Sequence, residues 1–369
     1  MQNKLPGINL CPVKLCRKDL ITMIRFVRIM HNLSQLPSYQ QIIDLPKVAQ
    51  FAPKNFGVMM GYDFHITEQG PKLIEINTNA GGGSLAFQAA CLTDIPTFKL
   101  KKKLIQMFAQ EISLYGSYPS RIAIVDDEPE KQFFFPEMQE FAKMLTEDLG
   151  IPTDIVAPCE LENENDKLFF NGNQIDMIYN RHCDFYLETL PHIKYAYLAN
   201  NICLTPNPRI YGLLADKKRM IIWSNLKDLL ELGLDATTAK FITSIVPESC
   251  LLAGQNIEQI WNDRKQWVFK PINKFGSRGV IIGSSLRKKR FNDLPAQETL
   301  VQRLVKPSLT DCEEFDKPMK TDIRVFAYRD KILGIGARLY QGQVTNFQEQ
   351  GSGYAPVCLN GIPLARNTN

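Results

Sequence analysis

Between residues 56 and 77 the chain reads FGVMMGYDFHITEQGPKLIEIN, two runs of alternating apolar and polar residues around Glu68-Gln69-Gly70. Alternation of period two predicts strands, and the glycine-containing break between them predicts a hairpin. In the second run Ile74 and Ile76 alternate with Glu75 and Asn77. The expected strand has an isoleucine face toward the core and a face of oxygen donors on the other side. Gly81, Gly82 and Gly83 follow almost at once, as a turn that brings backbone N–H groups close to whatever the donors bind. Upstream, residues 15–31 place apolar side chains at helical spacing with basic ones between them, predicting an amphipathic surface helix. A lysine-rich helix is expected over 98–114.

The pattern then changes to alternating strands and helices. SRIAIVDDE, PTDIVAP, MIYNR and ICLTPNP read as strands, with helices over 132–149 and 186–201 and a hairpin at KLFFNGNQID. This succession predicts a small open α/β domain at about 118–206. Helices over 210–232 and 236–241 come next. A strand-rich α+β region follows: QWVFKPIN, GVIIGS, TLVQRLV, KTDIRVFAYRD and KILGIGARLYQG, the last two an antiparallel pair.

Length and composition narrow the setting. A chain of 369 residues exceeds one ordinary core, so several domains are expected. Its formal charge of +4 suits an anionic small ligand and falls short of a nucleic-acid signature. No apolar run is long enough to span a membrane and no signal-like core opens the chain, so a cytoplasmic protein is expected. Nine scattered cysteines and only four histidines argue against zinc and for reduced thiols.

Four clusters carry candidate chemistry. Asp63, Glu75 and Asn77 are hard-oxygen donors that the hairpin brings together, the ligand type Mg²⁺ prefers. An exposed strand edge would look the same. His65 alternates with Asp63 and is expected to be a hydrogen-bond partner rather than a ligand. Lys270 lies inside an apolar strand, where an ammonium needs an anion, and Gly276, Ser277, Arg278 and Gly279 follow as a turn that can lay N–H groups over phosphates. The P-loop pattern is absent. Asp216, Lys217 and Lys218 open an expected helix. Asp322 and Arg324 share one strand face, with Arg338 and Asn346 further on, and arginines facing inward need a carboxylate or phosphate. Pairing between these aspartates and arginines is the plainer alternative.

Together ADKK, VFKP, the Gly-Ser-Arg-Gly turn, VQRLV, DIRVF, ARLYQG…TN…GSG and DFHI…LIEINTNAGG resemble the ATP-grasp superfamily. The wording is similar to that of prokaryotic glutathione synthetase and glutathionylspermidine-synthase-like ligases. The resemblance covers the chain from about residue 60 in patches, and residues 1–55 match no family motif. It implies ATP with Mg²⁺ or Mn²⁺, and a carboxylate–amine ligase working through an acyl phosphate on a small amino acid or peptide. A kinase-like phosphotransferase or a nucleotide-binding module without turnover is the alternative. Lys217 (or Lys218) and Lys270 would contact the α- and β-phosphates, and Gly276–Gly279 would close over the β- and γ-phosphates. Gln302–Val305 would be the adenine hinge, and Asp63, Glu75 and Asn77 would hold metal. Arg324 and Arg338 would stabilise the transferred phosphoryl group. Asn346, Gly351 and Gly353 would line the acceptor side, and Arg181 would meet a substrate carboxylate. No nucleic-acid or membrane partner is implied.

One departure concerns order. In the family the E-x-N strand follows the D-x-R strand, whereas here it precedes it. Joined end to end, the chain regains the family order, so a circularly permuted α/β fold is expected. Residues 1–117 would be the displaced end of the C-lobe, 118–206 the α/β substrate domain, 207–306 the N-lobe and 307–369 the rest of the C-lobe. Permutation requires the two chain ends to meet at one surface.

Overall fold

In the computed structural model, which describes residues 6–93, 95, 99–273, 279–343, 345, 347, 349 and 351–359, the predicted hairpin forms from Met60–Thr67 and Gly70–Asn77. Its register holds one surprise. Asp63 faces Glu75, but the next residue, Phe64, faces Leu73, so Ile74 is an extra residue in the second strand. Such a β-bulge reverses the alternation on one side of it. Leu73 and Ile76 therefore enter the core, while Ile74, expected there, lines a cleft instead.

The hairpin belongs to a mixed-origin antiparallel sheet. Met60–Thr67 pairs with Met319–Tyr328, which pairs in turn with Lys331–Tyr340, and that strand with Gly353–Ala355. Thus the amino-terminal hairpin continues the sheet begun by the carboxyl-terminal strands, joined to them where Met60–Thr67 pairs with Met319–Tyr328. Val13–Leu15 also runs parallel to Val357–Leu359. Asn9 donates to the Gly351 carbonyl, and the Gly7 carbonyl accepts from Tyr354 N. Gly353 leaves no room for a side chain, since a Cβ there would lie 2.8 Å from the Gly7 backbone. Gly351 and Gly353, expected at the acceptor side, are in contact with the amino-terminal segment. Cys11 and Cys312 form a disulfide, which corrects the expectation of uniformly reduced thiols.

Arg17–Gln35 folds as a helix whose period of 3.6 brings Met23, Phe26, Val27 and Met30 onto this sheet. Phe26 meets Phe64 edge-on at 5.8 Å. Burying each such side chain contributes about 1.5–3 kcal/mol, so four of them rival the net stability of a domain. Deleting residues 1–55 is therefore expected to abolish a cooperative melt of this sheet. A truncated chain with the parent's unfolding midpoint, followed by circular dichroism, would contradict that.

A second sheet is parallel, in the order Cys203–Thr205, Met177–Asn180, Ile122–Val125, Thr153–Val156. The first connection leaves Ile122–Val125 on one side and the chain later returns on the other. The carboxyl ends of Ile122–Val125 and Met177–Asn180 thus flank a switch-point crevice, the usual ligand position in open α/β sheets. The appended hairpin turns at Asn171 and Gly172, both at positive φ. A third, antiparallel sheet contains Ser249–Leu251, Thr299–Arg303, Trp267–Pro271 and Ile281–Ile282.

The single helix expected over 210–232 is broken. Pro208–Ile210 passes into a π-turn at Tyr211–Ala215, and Asp216 takes an extended ψ before the helices Arg219–Trp223 and Leu226–Glu231. Asp216 causes the break: its side chain accepts from the Lys218 amide and from Tyr186 Oη, bonds that compete with helix continuation. The next helix, Ala236–Ile245, runs past the expected end at 241.

Candidate active site

Lys270 is a buried cation at one end of the site. It sits on Trp267–Pro271 with 7% exposure, and its Nζ donates to Gln302 Oε1 at 2.7 Å and to the Ile74 carbonyl at 3.1 Å. The bulge that takes Ile74 out of the ladder therefore has a use, because its carbonyl serves the ammonium. Both partners are neutral oxygens. Burial pushes Lys270 down to about 8, opposed by the nearby Glu75 charge and reinforced by Lys217. A cation in this position is poised for an anion from outside the protein.

Lys270 lines a cavity of about 340 Å³ between the antiparallel sheets. Its apolar side is Ile74, Val268, Val280, Ile282, Leu304 and Val305. Glu75 and Asn77 line it too, in the orientation their alternation predicts. Lys217 bears on Lys270 electrostatically while Lys218 is exposed, which favours Lys217 of the two. His65 bonds the Val305 carbonyl at 2.8 Å, and burial depresses its pKa, so the neutral ring donates there. Gln302 is not at the free edge of the expected hinge. It lies between two partner strands, with its side chain spent on Lys270 and Ser249. The amides of Arg303 and Leu304 are also taken, by the carbonyls of Glu248 and Gln266, so Val305 is the first of these whose amide has no partner among the described residues.

At the other end of the cavity four charges interlock. Arg324 donates to both oxygens of Asp63, at 2.6 Å each, and Arg338 Nη2 donates to Asp63 Oδ2 at 2.8 Å. Arg338 also reaches both oxygens of Asp322, at 2.6 and 3.0 Å. The register accounts for this, since Arg324 pairs with Asp63 and Asp322 with Arg338 across adjacent strands. Burial alone would raise the Asp63 pKa, but the two guanidiniums outweigh it and hold the carboxyl below the usual range. Asn77 adds a fourth donor to Asp63, at 3.2 Å, and reaches Glu75 at 3.4 Å. Asp63, expected as a metal ligand, thus has its acceptor capacity filled by protein. It positions Arg324, Arg338 and Asn77.

The glycine turn is gripped from both sides. Arg324 and Tyr354 Oη donate to the Gly81 carbonyl, at 3.2 and 2.6 Å. From the parallel-sheet side, Glu137 accepts from the Gly82 and Ser84 amides at 2.9 and 3.0 Å, while Arg181 donates to the Asn79 carbonyl at 2.9 Å. Gly82 has φ 90°, and a Cβ there would fall 2.0 Å from the Tyr354 ring. Two expectations change here. The Gly82 and Ser84 amides face a protein carboxylate rather than open space, and Arg181, 6% exposed, has its Nη1 on the Asn79 carbonyl and the Tyr179 hydroxyl. Burial raises the Glu137 pKa, against the pull of Arg181 and the two amides.

Sequence reading overlooked Glu137, Tyr354, Phe134, Phe347 and Thr345. No local signal marks Glu137 within its helix, although GSGYA flanks Tyr354 with informative glycines. Gly279 takes φ 76° in an exposed turn. Gly276, Ser277, Arg278 and Asn346 lie outside the described residues. Among the described residues no cluster of three or more His, Cys, Asp or Glu could hold a metal ion, and no helix is long and apolar enough to cross a membrane.

No family model and no curated protein matches the sequence. Solved structures do. A glutathione synthetase-like effector from Globodera pallida, determined in the apo form, superposes with a TM-score of 0.59 at 11% identity, over 96% of this chain and 91% of that one. A candidate gamma-glutamylcysteine synthetase from Methylobacillus flagellatus gives 0.52 at 10% identity, over 88% and 83%. At such identities the likeness is one of fold.

Proposed function

Starting from this ATP-grasp, glutathione synthetase-like fold, we propose that the chain is an ATP-dependent carboxylate–amine ligase acting on a small amino acid or peptide. The observation that carries this reading is one cavity holding a buried ammonium bonded to neutral oxygens and, at its other end, two guanidiniums fixed by carboxylates. Lys270, bonded to neutral oxygens, stands at one end and Arg324 with Arg338 at the other. An adenine fits the apolar side near Val305, its phosphates run past Lys270 and Lys217, and the γ-phosphate arrives at the arginines.

In the reaction a carboxylate oxygen bonds the γ-phosphorus as the bond to the β,γ-bridging oxygen breaks and ADP leaves. The amine nitrogen then bonds the acyl carbon, loses a proton, and phosphate departs. The chain's work is alignment and charge. Lys270 and the arginines hold phosphoryl oxygens in line, and Asp63 keeps both guanidiniums fixed. Glu75 and Asn77 are oxygen donors in the cavity wall and suit Mg²⁺, which is ordinarily held by one or two carboxylates together with substrate phosphates. When bound, it would offset phosphate charge. Gly276–Gly279 are assigned to covering the phosphates, and Asn346 to the acceptor side.

We read the strand order as a circular permutation, with 1–117 and 307–369 together forming the C-lobe, 207–306 the N-lobe and 118–206 the substrate domain. The parallel pairing of Val13–Leu15 with Val357–Leu359 supports it, because it sets a segment near each end side by side.

The direct test is phosphate release from Mg²⁺-ATP across panels of acids and amines. Stimulation that needs both, with amide product, is expected; a phosphorylated acceptor without amide would overturn the reading. A pH effect follows from Lys270. It titrates at about 8 in the free protein, and nucleotide phosphates favour its charged form, so binding takes up a proton above that pH. ATP affinity should be full below about pH 8 and fall by up to about tenfold per unit above it. Calorimetry at pH 7 and 9.5 checks this. Lys270→Arg should flatten the profile, and an equally steep profile in that variant would remove Lys270 as its source.

A further inference from the structure

The Arg324 end of the cavity is walled by aromatic rings. Tyr354 Oη lies 3.2 Å from Arg324 Nη1, and the Phe347 ring lies 5.0 Å from that of Tyr354. Phe133 stacks on Phe347 at 5.6 Å and 20°, and meets Phe134 edge-on at 5.1 Å. Of these, Phe134, Phe347 and Tyr354 line the cavity. They come from three separate segments. Phe134 follows the strand Ile122–Val125, so it reaches in from the switch-point crevice of the parallel sheet, where a ligand is expected on independent topological grounds.

The nucleotide does not account for this wall. On the ligase reading its base and first phosphates take the Val305–Lys270 end, so the rings face the acid whose carboxylate meets Arg324. The charged groups behind the rings, Arg181 and Glu137, do not line the cavity. Arg181 Nη1 donates to the Asn79 carbonyl and the Tyr179 hydroxyl, and Glu137 accepts from the Gly82 and Ser84 amides. A polar or charged side chain on the acid would be desolvated here without a partner, whereas an aromatic one would gain ring contacts.

We propose that the acid substrate carries an aromatic or bulky apolar group, seated against Phe134, Phe347 and Tyr354 with its carboxylate at Arg324. This rests on the ligase reading and specifies its substrate class. The full chain is assayed with Mg²⁺-ATP and hydroxylamine, which converts an acyl phosphate to a coloured hydroxamate. The acids are N-acetyl amino acids and dipeptides ending in Phe, Leu, Ala, Ser or Glu. Phe-ended acids are expected to exceed Ala- and Glu-ended ones by about tenfold or more in kcat/KM. Phe134→Ala and Phe347→Ala should shrink that ratio toward one, chiefly through KM. Phe134→Leu, which keeps bulk, should retain much of it and guards against misfolding. A preference for Glu or Ser, or no preference, overturns the proposal. So does an equal loss for every acid with increased ATP hydrolysis in their absence, which would make the wall a water barrier only. If no acid gives hydroxamate although ATP binds, the ligase reading itself fails, and this proposal with it.

Discussion

Replacing Asp63 by asparagine is expected to cost about 3–5 kcal/mol, the loss typical when one partner of a buried ion pair is removed. Asp63 is fully buried and is the one carboxylate that Arg324 contacts among the described residues, since its other partners are the Gly81 carbonyl and Tyr354. An amide keeps the shape but turns one acceptor into a donor aimed at guanidinium N–H groups. Arg338 would keep Asp322. Asp322→Asn should therefore be milder, because Arg338 retains Asp63. Urea denaturation of both variants at pH 7 measures the difference. The sign with pH is also fixed. The Asp63 pKa lies below its ordinary 3.8 in the fold, so its stabilisation is present above that value. It is lost as pH falls through the lowered pKa, and parent and variant should converge in acid. An Asp63→Asn chain with the parent's midpoint at pH 7 would refute the network's role.

Glu75→Gln should do the opposite, leaving the fold and removing the chemistry. Glu75 is partly exposed, makes no ion pair among the described residues, and accepts only a long 3.4 Å bond from Asn77, which a glutamine can keep. Its charge, however, faces the cavity near Lys270. Loss of that charge should cut Mg²⁺-ATP-dependent phosphate release by on the order of 10²–10³, the scale of losing one electrostatic contributor to a transition state. The melting temperature should stay nearly unchanged. Unchanged phosphate release would reject the assignment of Glu75 to metal and phosphate. Two acids that face each other across one hairpin are thus separable, one structural and one chemical.

Much of this was legible because it is local. Alternation in KTDIRVFAYRD puts Asp322 and Arg324 on one face, and the same logic places Glu75 beside Asn77. The βα succession over 118–206 likewise yields its parallel sheet without help from distant residues. What stayed hidden depends on partners far along the chain. The bulge at Ile74 is a property of two strands, invisible in either alone. The Asp63–Arg324 contact and the Glu137 clasp on Gly82 span separations of 261 and 55 residues. Asp216 carries a helix-compatible sequence but finds Tyr186 through tertiary packing.

The Cys11–Cys312 bond has a mechanical consequence. It closes a covalent ring across a sequence separation of 301 residues. Tension applied at residues 6 and 359 passes from Cys11 straight to Cys312 and never enters the intervening chain, about 1,000 Å of contour at full extension. Reduced, the same chain loads the Gly7 and Asn9 contacts with Gly351 and Tyr354 together with Val13–Leu15 against Val357–Leu359, a parallel pair pulled lengthwise so that its bonds share the force. In a single-molecule pulling trace, oxidised molecules should yield only a short extension at any force below covalent rupture, while reduced ones release the whole ring.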